Sequence, residues 1–148
     1  MTTRSLLRSE LLTGNLDDLP AHILSSLAPE ATKRMVFAPG RHWDDYVLRY
    51  FTLPPGCATP SHRHEWEHLV VVLRGRGRMT VEDMQISLNQ GAWGYVPSGA
   101  EHVFENSGEE EEFAYLCIAP VEADPHAIKT LRRIPSKERR DPGGGGFF

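Results

Sequence analysis

A chain of 148 residues with 40% apolar and 24% charged residues has the composition of one globular domain. Its formal net charge of −4 argues against a general nucleic-acid or anionic-membrane binder, and no apolar run is long enough to cross a bilayer. Cys57 and Cys117 are too few and too scattered for a disulfide framework, and no secretion signal is evident, so the cytoplasm is the expected compartment.

Residues 1–32 read as a helical and irregular extension. Leu6, Leu7, Leu11 and Leu12 recur at helical spacing. The stretch 16–27 reads as a short amphipathic helix capped by Asp17 or Asp18, with Pro20 in its first turn and His22 at the surface. A β-domain is expected over residues 33–120. Its first strand, 33–37, reads as an edge stopped by Pro39 and Gly40, and His42 and Trp43 follow in a loop read as packed rather than as a lid. Residues 46–53 form a strong strand ended by Pro54-Pro55-Gly56, with Arg49 and Phe51 on one face. An inward Arg49 would clamp a carboxylate, but an edge-exposed guanidinium is the preferred reading.

The chemistry concentrates in the next stretch, where His62, His64 and His68 follow one another closely. In an extended segment His62 and His64 share a face. His68 opens the apolar run 69–73, which is β-branched, closed by Gly75 and Gly77, and reads as a buried strand. Three imidazoles entering a β-core each need a partner for a ring nitrogen, and a divalent metal is the economical one.

Strands 78–82 and 85–88 form a hairpin about Asp83-Met84, and strand 92–96 follows. Pro97-Ser98-Gly99 is a tight turn that delivers a fourth imidazole, His102, at the start of another strand, with Phe104 on its face. The glutamate-rich residues 107–112 read as a solvated hairpin tip. In the last strand, 113–118, Phe113, Tyr115 and Cys117 share a face as candidate cavity lining, Cys117 as a small buried filler. Residues 121–148 read as a C-terminal extension, helical over 126–133 and ending in a basic, then glycine-rich, tail.

Together the two histidine stretches resemble the cupin superfamily. The first matches the family's G-x5-H-x-H-x3-4-E-x6-G at Gly56, His62, His64 and Gly75, with His68 where glutamate is usual. The second matches G-x5-P-x-G-x2-H-x3-N at Gly91, Pro97, Gly99, His102 and Asn106. The resemblance implies an all-β, double-stranded β-helix or jelly-roll barrel with short N-terminal helical segments. It further implies one divalent transition metal ion per chain, held by His62, His64, His68 and His102. Manganese or iron ranks first, with nickel, copper or zinc as alternatives. Glu67 ranks second to His68 as a ligand, because period-two alternation turns it to the opposite face. Without a carboxylate ligand the ion's charge is uncompensated, which strengthens its Lewis acidity and favours an anionic substrate or hydroxide.

Four protein ligands close a tetrahedral zinc site and would make it structural, whereas five- or six-coordinate manganese, iron or nickel keeps an open position. The resemblance suggests an oxygenase acting on a small organic metabolite. Its candidate bases are Glu67 and Glu101, and its candidate pocket residues are Arg49, Phe51, Trp66, Val70, Val72, Phe104, Tyr115 and Cys117. A non-redox isomerase, lyase or hydrolase stays open, as does a non-enzymatic ligand-binding cupin. The expected partners are a small-molecule substrate and a second copy of the chain, joined through strands 33–37 or 46–53.

Overall fold

The structure, a computed structural model, describes residues 9–127. The expected helix beyond residue 127, the basic and glycine-rich tail, Leu6 and Leu7 lie outside the described residues. The strands are β1 (Ala21–Ser25), β2 (Ala28–Phe37), β3 (Tyr46–Leu53), β4 (His62–Arg63), β5 (His68–Arg74), β6 (Arg76–Val81), β7 (Met84–Asn89), β8 (Trp93–Val96), β9 (Glu101–Asn106) and β10 (Phe113–Pro120). They form two antiparallel sheets, ordered β1-β2-β3-β10-β5-β8 and β4-β9-β6-β7. Two such sheets closing on a shared core make the jelly-roll barrel expected from the strand pattern. No described helix is long and apolar enough to cross a membrane.

Period-two alternation builds the core. Phe51 and Leu53 of β3, Val70 and Val72 of β5, Phe104 of β9, and Phe113, Tyr115 and Cys117 of β10 all point inward and are buried. The Tyr115 ring joins the sheets, with ring centroids 5.1 Å from Phe51 and 5.2 Å from Phe104. Each such large apolar side chain contributes about 1.5–3 kcal/mol relative to exposure.

The expected helix over 16–27 is a strand hairpin. A short 3-10 turn, Leu16–Asp18, is capped by Asn15, whose side chain accepts from the Asp17 amide at 3.0 Å, so neither Asp17 nor Asp18 is the cap. β1 then pairs with β2, which begins at Ala28. Leu16, Leu19, Ile23 and Leu27 do recur at near-helical spacing, but a free sheet edge overrides a weak amphipathic pattern. Leu24 packs against the core, and His22 is half-buried with its ring stacked on His126 at 3.8 Å.

β1 covers strand 33–37 only at Lys33 and Arg34, leaving residues 35–37 at the sheet edge as expected, and β3 is flanked by β2 and β10. Of the two, only strand 33–37 keeps an uncovered edge segment, at residues 35–37. The run 69–73 is also not buried on both sides: Leu69 and Val71 are 47% and 48% exposed, while His68, Val70 and Val72 face inward. An antiparallel sheet has one face toward solvent, and this apolar run carries β-branched residues on both. The loop before β3, expected to be packed, is exposed over residues 40–46, though it is tethered by His42 Nε2 3.0 Å from the Leu11 carbonyl and by the Phe37 ring edge-on to His42.

Candidate metal centre

Three histidines converge at one end of the barrel from three separate elements. His68 opens β5 on its inward face, His102 lies in β9 of the other sheet, and His64 follows β4 in a loop. The Pro97–Gly99 turn aims His102 as the sequence implied: Gly99 has φ 80°, and the Ala100 amide donates to the Pro97 carbonyl at 3.2 Å. The same turn grips the His64 loop. The Gly99 amide donates to the His64 carbonyl at 2.6 Å, and Ser98 Oγ donates to the Glu65 carbonyl.

His64, His68 and His102 each offer a ring nitrogen, and these atoms lie within 4.8 Å of one another. Ring centroids are 4.9 Å apart for His68 and His102, 5.4 Å for His64 and His102, and 5.7 Å for His64 and His68. The Nε2 atoms of all three are buried and have no hydrogen-bond partner, and the Nε2 of His62 is buried as well. Buried polar nitrogens are normally satisfied, so three bare ones this close together fit a cation that takes neutral imidazole. No carboxylate joins the group among the described residues.

The structure thus gathers three of the four expected ligands. His62 pairs with His102 across β4 and β9 and its ring stacks on His64 at 5.1 Å and 23°, but it is not one of the three whose ligand atoms lie within 4.8 Å of one another. Trp66 also stacks on His64, at 4.9 Å and 12°. The His62, His64 and Trp66 rings form the half-buried outer wall of the centre.

Burial is the main force on these rings' protonation. It lowers His64 to about 4, aided by His102, His62 and Arg49, and lowers His68 to about 2, aided by Arg49 and the other histidines. His62 and His102 are also lowered, again chiefly by burial. All four are therefore neutral at pH 7, with lone pairs available. In the metal-free protein this carries a stability cost at low pH. The unfolded chain binds protons on histidine below about 6.5, while folded His64 does not until about pH 4. The melting temperature of metal-free protein should therefore fall as pH drops from 6.5 toward 4. A flat profile across that window, measured in chelator, would contradict the buried neutral rings.

Arg49 is not edge-exposed but 0% exposed. Its guanidinium does clamp a carboxylate, that of Asp124 at 3.3 Å, and also lies 3.2 Å from Cys117 Sγ and 3.4 Å from His68 Nδ1. Lys33, 2.8 Å from Asp124, completes a buried group of two cations and one anion. Sequence reasoning missed Lys33 and Asp124. Asp124 precedes Pro125 and caps the turn after it, accepting from the His126 and Ala127 amides at 2.9 and 3.3 Å, a pattern readable as a helix start.

Phe51, Val70, Val72, Phe104 and Tyr115 lie beneath the histidines, packed on one another as core. The candidate bases lie outside the ring cluster. Glu101 is exposed, accepting from Ser61 Oγ at 2.6 Å and Arg63 Nη2 at 3.4 Å. Glu67 is exposed on the opposite face from His68 and accepts from the Tyr95 hydroxyl.

A Cupin domain family profile matches residues 49–119. The polyketide cyclase RemF from Streptomyces resistomycificus is 30% identical, with a TM-score of 0.65 over 73% of this chain and 78% of that one. A cupin 2 domain-containing protein from Halorhodospira halophila is 25% identical, with a TM-score of 0.58 over 76% and 85% of the two chains. Among curated proteins, mannose-1-phosphate guanylyltransferase from Escherichia coli is 41% identical over 65 residues, 43% of this chain and 14% of that protein. The chain spans less than a fifth of the length of the first curated relatives it matches.

Proposed function

The chain belongs to the cupin superfamily, and from that premise we propose that it is a metal-dependent enzyme acting on a small, anionic organic molecule. The observation that carries this reading is the trio His64, His68 and His102, with three bare Nε2 atoms converging and no carboxylate among them. A divalent ion bound there supplies Lewis acidity that no anionic ligand tempers. With three protein ligands even a four-coordinate ion keeps a position for substrate, so zinc need not be structural. His62 is the reserve fourth ligand.

The chain's own residues do the rest. Their lowered affinity for protons keeps the imidazoles available at pH 7. The packed core of Val70, Val72 and Phe104 excludes water from the inner side, leaving approach from the outer wall of His62 and Trp66. The buried Lys33, Arg49 and Asp124 group is net positive, which favours an anion at the centre.

We read the reaction as non-redox: polarisation of a substrate carbonyl for proton transfer, ring closure or bond cleavage. The likeness to a polyketide cyclase supports this. The oxygenase reading stands second, supported by an all-imidazole donor set that suits iron or manganese. Turnover of a panel of 1,3-dicarbonyl and 2-hydroxy acids, in air and under argon with metal-loaded protein, separates the two. The expected result is metal-dependent turnover that persists under argon. Turnover that stops under argon and consumes oxygen in air would replace it with the oxygenase. Thermal stabilisation by a panel member without turnover would point to a binding module.

A further inference from the structure

A histidine that binds metal through Nε2 must carry its proton on Nδ1 and needs an acceptor there. His102 has one of the ordinary kind: its Nδ1 lies 3.0 Å from the Ala100 carbonyl. His68, only 1% exposed, has no carbonyl or carboxylate recorded against Nδ1. Among the described residues, the groups within reach of that atom are Arg49 Nη2 at 3.4 Å and Cys117 Sγ at 3.5 Å.

These neighbours differ in what they can do. Arginine has five N–H donors and no acceptor, so it cannot receive a proton-bearing Nδ1. Were Nδ1 bare and accepting from Arg49, the ring proton would sit on Nε2, a buried atom with no acceptor. Stranded buried N–H groups are rarer than stranded lone pairs. With the proton on Nδ1, the sulfur of Cys117 is its acceptor, and Nε2 is left bare toward His64 and His102.

We propose that Cys117 is a positioning residue, its sulfur accepting the Nδ1 proton of His68 and so selecting the tautomer that presents Nε2 to the metal centre. The sulfur is itself held: Arg49 donates to it at 3.2 Å and is anchored in turn by Asp124. Burial keeps Cys117 in its thiol form, and the nearest outlet for its own proton is the Ile118 carbonyl at 4.0 Å. The register makes this contact, since Cys117 of β10 lies opposite both Arg49 of β3 and Val70 of β5. The inference rests on the metal-centre reading for its purpose, while the tautomer is a property of the metal-free protein.

The test is a long-range 1H–15N correlation spectrum of the histidine rings in metal-free protein at pH 7, with the His68 signals assigned through His68→Gln. Wild type should show His68 protonated at Nδ1. Cys117→Ala should move it toward the Nε2-protonated form, because the neighbour that remains can only donate. Cys117→Ser, which keeps an acceptor, should hold the wild-type tautomer. In chelator competition for zinc, Cys117→Ala should bind about 10–100-fold more weakly, with Cys117→Ser close to wild type. An Nε2-protonated His68 in wild type, or an unchanged tautomer in Cys117→Ala, overturns the proposal. A wild-type protein with the assigned tautomer that takes up no metal overturns the metal-centre reading and leaves the tautomer assignment standing.

Discussion

His102→Ala should strip the protein of bound metal while leaving the barrel folded. Its Nε2 is one of three bare nitrogens within 4.8 Å, and no other described residue can replace it from β9. The loss in affinity should exceed the roughly 10–100-fold that follows removal of a group behind a ligand. Elemental analysis after dialysis, with chelator competition for the residual affinity, measures it. His62→Ala is the informative partner. Its ring stacks on His64 and it is not among the three whose ligand atoms lie within 4.8 Å, so its removal should weaken binding less. Equal loss in the two variants would restore the four-histidine centre expected from the motif.

The second large effect is expected at Asp124, one side chain removed from His68 through Arg49. Burial pushes its carboxyl up, but Arg49 and Lys33 outweigh that and hold it below the ordinary range. Asp124→Ala would leave two buried cations without their anion, a change that costs about 3–5 kcal/mol when a buried pair is broken. Loss of its capping hydrogen bonds adds about 1 kcal/mol. Urea unfolding should report the sum, and Asp124→Asn should separate the two by keeping a capping side chain without the charge. Lys33, already lowered by burial, should respond by giving up its proton, so Asp124→Ala with Lys33→Met should recover part of the loss. A shift of under about 1 kcal/mol for Asp124→Ala would show that the ion group carries little stability.

The parts of the molecule legible in the sequence are those specified locally. Pro97-Ser98-Gly99 forms the turn its residues demand, and alternation correctly placed Phe104 beside His102 and Glu67 away from His68. The hairpin expected about Asp83-Met84 is present, but its turn is one residue earlier, at Glu82 and Asp83, because Met84 pairs with Val81. What stayed hidden depends on contacts across the chain. The inward turn of Arg49 is decided by Asp124, 75 residues later, and strand parity alone is silent on it. Residues 16–27 carry apolar spacing that suits a helix, yet β2 offers them an open edge, and the hairpin uses it. His62 and His64 were correctly put on one face, but their stacking, which leaves one ring outside the trio, follows from ring positions that periodicity does not encode.

The hydrogen bonds from the 97–99 turn to the His64 loop have an evolutionary consequence. The Gly99 amide and the His64 carbonyl are main-chain groups, so the link between the two ligand-bearing segments needs no particular side chain at position 64 or nearby. Side chains at positions 65 to 67 can drift without disturbing how those segments meet, provided His64 itself is kept. A descendant that keeps the turn and its three histidines keeps their placement, while the residues around them are free to change.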